Sequence, residues 1–89
     1  PQVDFSKYVD LELLADGAAK QELRKLTDAK LLAEEELSIA NTQLEGTKKL
    51  AERDFVTQNE LQTDEMKVTR SEIGLESATT ALDLFIRYE

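Results

Sequence analysis

Cysteine and histidine are both absent from this 89-residue chain, and each absence removes a class of function. Without cysteine there is no disulfide framework, thiolate metal site or sulfur nucleophile; without histidine the usual imidazole acid–base and metal chemistry is gone as well. Proline occurs once, at position 1, and glycine three times, too few for a domain rich in turns. The five aromatic residues, three Phe and two Tyr, are too scattered to form a base-stacking platform. No apolar run approaches the ~18 residues of a membrane span, and no signal peptide is evident. Beginning at Pro1 without an initiator Met, the chain is expected to be an internal piece of a longer protein.

What is present is a helix-forming, acidic composition. Charged residues make up 34% of the chain and the net charge is -8, which opposes binding to nucleic acid or to an anionic membrane surface. Ala, Leu, Glu, Lys and Gln dominate, and these are strong helix formers. A unit of this size is marginal in isolation unless it packs very regularly or oligomerises.

The chain is organised about Phe55-Val56-Thr57-Gln58-Asn59-Glu60-Leu61. Thr57 and Glu60 have capping-box spacing: the hydroxyl accepts from the Glu60 N–H while the carboxylate accepts from the Thr57 N–H. Val56 and Leu61 flank them as a hydrophobic staple, so a helix is expected to start here.

Upstream, residues 1–16 form an N-terminal segment read as a short helix over about Asp4 to Leu14, with Asp16-Gly17 as the break. From about 18 to 53, Leu23, Leu26, Lys30, Ala33, Leu37, Ala40, Leu44, Thr47 and Ala51 step by alternate threes and fours, the seam of a coiled coil. Leu31, Leu32, Ile39 and Leu50 lie off that seam and widen it or supply a second stripe, which implies a second partner. From about 58 to 89 the stepping resumes as Leu61, Asp64, Val68, Ser71, Leu75, Ala78, Leu82 and Phe85. The short tip at 54–57 forces the two helices antiparallel, so the expected fold is an all-α, long two-helix coiled-coil hairpin spanning 17–89.

Folding the chain at Asp54 pairs positions whose numbers sum to 108, placing Leu61 opposite Thr47, Asp64 opposite Leu44, Val68 opposite Ala40 and Leu75 opposite Ala33. Most layers then set a large residue against a small or polar one, which fills the gap evenly. Tyr8 has no intrachain counterpart in this register, so the first ~18 residues are expected to need another partner.

Candidate chemistry is sparse. Glu34-Glu35-Glu36 point in different directions on a helix and form a solvated face, not a metal or acid–base site. Asp64 and Ser71 in the seam read as polar register-setting residues, and Lys30 as a snorkelling stem. No Gly-rich phosphate loop or paired nucleophile and base occurs, so no enzyme activity, cofactor or metal is expected. At the tip, Lys48, Lys49, Leu50, Arg53, Phe55, Val56 and Thr57 form a mixed patch with a basic bias. An ordinary capped turn and a docking surface account for that patch equally well.

The stretches Leu31–Leu37, Lys49–Leu61 and Ile73–Leu84 resemble the α-helical hairpin of HlyD-type membrane fusion proteins. The similarity covers the chain from about Lys20 to Glu89. It implies a hairpin inserted in a larger periplasmic adaptor of an efflux pump or type I secretion system, anchored at the inner membrane beside its transporter. Hairpins of neighbouring copies would associate, and the tip would meet an outer-membrane channel. The family's tip pattern of Arg, Leu and Ser is met by Leu50 and by Thr57 as a hydroxyl, while Gly46 stands in the Arg position with Lys48 and Lys49 the nearby cations. The alternative expectation is a cytosolic coiled-coil tether or a holdase-like chaperone arm.

Overall fold

The computed structural model describes the backbone of residues 5–88 and the side chains of residues 15–88. Two helices account for nearly all of it: α1, Phe5–Glu52, and α2, Gln58–Tyr88, packed antiparallel as a hairpin. There is no strand among the described residues. The molecule measures 82 × 17 × 14 Å, two helices wide and one deep. At about 1.5 Å per residue α1 runs on about 25 Å beyond the level where α2 ends.

The helix passes through Asp16 and Gly17 without interruption, so the expected break and separate N-terminal helix are replaced by one continuous α1. A single glycine costs about 1 kcal/mol in a helix interior. That cost is spread here over a helix of 48 residues, with Ala15, Ala18 and Ala19 beside it. Asp16 supports the helix by pairing with Lys20 one turn on, at 3.5 Å. The expected lone helix at the extreme N-terminus is thus the start of α1, and the unmet apolar groups around Tyr8 lie outside the described side chains.

The contact stripe follows the three–four stepping. From Leu26 to Ala51 the side chains withdrawn from solvent on α1 are Leu26, Lys30, Ala33, Leu37, Ala40, Leu44, Thr47 and Ala51. On α2 they are Leu61, Asp64, Val68, Ser71, Leu75, Ala78, Leu82 and Phe85, together with Thr79. Leu23 stays 40% exposed; the residue the register sets opposite it, Phe85, lies in the last turn of α2.

Burial is deepest at mid-length, where Ala40 is 6% and Val68 9% exposed. These two occupy one layer of the register that folds at Asp54. Elsewhere each seam side chain is only half-buried, since two cylinders touch along a single line and leave both flanks open. Stability therefore comes from many partly buried layers and not from one core.

Candidate functional site

The site is the closed end of the hairpin, and its geometry is set by two capping motifs back to back. α1 terminates in a Schellman motif: the Phe55 N–H donates to the Leu50 carbonyl at 2.9 Å and the Asp54 N–H to the Ala51 carbonyl at 3.0 Å. The reversal needs one residue in the left-handed region, and Asp54 supplies it with φ 59°. The Arg53 N–H also donates to the Leu50 carbonyl, at 3.1 Å. α2 then begins with the capping box read from the sequence. The Glu60 N–H donates to Thr57 Oγ1 and the Thr57 N–H to Glu60 Oε2, both at 3.1 Å. Val56 and Leu61 are both half-buried, as a staple requires.

Left-handed backbone costs a non-glycine residue roughly 1 kcal/mol, less for Asp than for most. Asp54→Gly is therefore expected to raise hairpin stability by up to about 1 kcal/mol, read as a higher urea midpoint at unchanged slope. Thr57→Ala should lower it by about 1 kcal/mol, because the cap acceptor of the Glu60 N–H is lost.

These caps decide what the tip shows to solvent. Phe55 is 71% exposed and Leu50 45%, with Arg53, Lys48, Lys49 and Thr57 all exposed around them, while Val56 is drawn in by the staple. The Schellman hydrogen bond holds Phe55 and Leu50 at adjacent backbone sites, so the aromatic ring, the leucine and the cations share one end of the molecule. Gly46 is exposed, and a Cβ built there would meet nothing within 4 Å, so no packing requirement holds a glycine at that position.

Behind the tip the seam carries a polar layer. Thr47 Oγ1 donates to Asp64 Oδ2, and Lys67 Nζ lies 3.6 Å from Asp64 Oδ1. Asp64 thus reaches Thr47, one turn nearer the tip than the Leu44 set opposite it by register arithmetic. Thr27, Thr42, Thr63 and Thr69 turn their hydroxyls back to carbonyls four residues earlier in their own helices. Thr47 instead spends its hydroxyl across the seam. A shallow groove of about 410 Å³ opens beside this layer, lined by Thr47, Val56, Asn59, Glu60, Thr63, Asp64 and Lys67.

A polar pair in an apolar stripe costs stability and selects register. Replacing both Thr47 and Asp64 by Leu should raise the melting temperature while broadening the distribution of spin-label distances between the helices. A single narrow distance in the double variant would remove the register role.

The seam residues Leu23, Leu26, Leu37, Leu44, Leu61, Val68, Leu75, Leu82 and Phe85 lie along the helix–helix contact and not at the tip. Exposed apolar residues on α2, namely Met66, Ile73, Leu84 and Ile86, were not singled out from the sequence. Their signal was present as apolar residues off the seven-residue repeat. Among the described residues no group of three or more acidic side chains could hold a metal ion, and no helix is long and apolar enough to cross a membrane. Compared with protein-family models, with curated proteins and with solved structures, the chain finds no match in any of the three.

Proposed function

We propose that this hairpin is a non-enzymatic spacer and docking arm of a periplasmic adaptor of the HlyD type, serving an efflux pump or type I secretion system. The observation that carries the reading is the tip. A doubly capped turn at the end of an 82 Å lever displays Phe55 and Leu50 to solvent beside cations. Reverse turns ordinarily expose polar residues, and an aromatic held outward on a rigid end suits capture of a partner pocket. In this reading the tip meets an outer-membrane channel, the open end lies towards the inner-membrane transporter, and neighbouring hairpins associate. The resemblance in Lys49–Leu61 supports the same assignment.

The test separates docking from folding. Phe55→Ala and Leu50→Asp are exposed changes and should leave the thermal melt within a few degrees of the parent. Retention of the cognate channel in a pull-down should fall at least about tenfold, equivalent to about 1.4 kcal/mol of binding. Unchanged retention in both variants would remove the tip from the function. Lost suppression of client aggregation, with channel binding intact, would favour a holdase arm instead.

A further inference from the structure

The closed end is tied to the rest of the hairpin by little, and we infer that it opens as one unit, at a neck beside Gly46, while the shaft behind it stays paired. Three observations meet at that level. On α1, Gly46 is exposed and a Cβ there would meet nothing within 4 Å, so glycine weakens the helix at this point for no packing reason. On α2, the Thr63 hydroxyl donates back to the Asn59 carbonyl at 2.8 Å, a contact that slightly destabilises a helix and often bends it. Thr47, next to Gly46, and Thr63 line the same groove, so the two weak points lie beside each other. The seam there is closed by the Thr47–Asp64 hydrogen bond in place of an apolar layer. Among the described residues it is the one side-chain hydrogen bond that joins α1 to α2.

Beyond the neck, packing is thin. From Lys48 to Thr63 three side chains are withdrawn from solvent, Ala51, Val56 and Leu61, and each is half-buried. The shaft contains both buried residues, Ala40 and Val68, together with half-buried Leu37, Leu44 and Leu75. Stabilisation follows apolar burial, so the closed end opens at a lower free energy than the shaft. The caps make that opening a single event. The Schellman bonds from Asp54 and Phe55 and the reciprocal Thr57–Glu60 pair all lie within residues 50–60. They terminate short helical ends that cannot persist alone in water, so once those ends lose their pairing the caps are lost with them.

The opening lies at the same end as the docking patch and does not depend on what the patch meets. A partner that takes the closed tip alone suppresses the opening by linkage, and one that takes the open tip promotes it.

Hydrogen exchange of individual amides in the intact protein tests the inference, with two glycine changes as levers. In the parent, amides at Leu50–Glu52 and Gln62–Asp64 should exchange at least about tenfold faster than those at Leu37–Ala40, after correction for intrinsic rates. Gly74→Ala strengthens the shaft alone, since residue 74 stays helical when the tip opens. It should slow shaft exchange roughly fivefold and leave the tip amides unchanged. Gly46→Ala should slow both sets roughly fivefold, because global unfolding includes opening of the tip. Both changes place alanine where a Cβ meets nothing within 4 Å, so both variants should fold. If Gly74→Ala slows tip and shaft amides alike, the hairpin is one cooperative unit and the inference is overturned. Equal exchange of tip and shaft in the parent overturns it as well, as does unaltered tip exchange in Gly46→Ala.

Discussion

Val68→Asp is expected to unfold the hairpin. Val68 is one of two residues buried among the described residues, and the register read from the sequence sets it opposite the other, Ala40, which offers no hydrogen-bond partner. An ionised carboxylate placed there is unpaired, and Asp64 lies one turn away on the same stripe, adding like-charge repulsion. The cost is on the order of 3 kcal/mol or more. Small domains hold roughly 0.05–0.15 kcal/mol per residue, and a hairpin with no fully buried side chain among its described residues sits low in that range. The penalty is thus comparable to the whole stability. Circular dichroism should show loss of most helical signal at room temperature, whereas Val68→Ala should remain folded with a melt lowered by several degrees. A folded Val68→Asp variant would mean that this layer is not where the helices meet.

Leu75→Ala carries the second large effect. The register read from the sequence sets Leu75 opposite Ala33, so truncation is expected to leave alanine facing alanine across a gap that two rigid helices cannot close. Fully buried Leu→Ala changes cost about 2–5 kcal/mol. Leu75 is half-buried and borders an open groove, which places it near about 2 kcal/mol. The swap Leu75→Ala with Ala33→Leu keeps the volume of the layer and should recover most of the loss. Urea denaturation of the two single variants and the swap forms a complete cycle. Additive destabilisation in the swap would show that these two positions do not share a layer.

Much of the fold was legible because a coiled-coil seam is a long-period signal, repeated over many turns. One misplaced residue, such as Lys30 or Thr47, does not hide it. The start of α2 was legible for a different reason: the capping box and staple from Val56 to Leu61 are a local code, written in neighbouring residues. The end of α1 was harder to read. No glycine marks it, and Asp54 in the left-handed region is a less common solution, recognisable only once the helix is known to stop. Asp16-Gly17 misled in the opposite sense, because a local penalty was weighed without the length of helix on either side and without Lys20 as a partner for Asp16.

The Thr47–Asp64 hydrogen bond was hidden by the register arithmetic itself. Pairing by height sets each residue against one counterpart, yet side chains reach into the spaces between layers, and Asp64 reaches towards the tip. The tip patch was named residue by residue, but its split into an exposed Phe55 and a tucked-in Val56 depends on the caps.

The docking role of the tip is tested most directly by installing a photo-crosslinking residue in place of Phe55 in the intact protein and irradiating living cells. A covalent product with an outer-membrane channel at Phe55, and none from the same probe in place of Glu35 on the solvated side of α1, is the predicted result. Products confined to soluble cytosolic proteins, or equal channel products from both positions, would contradict it.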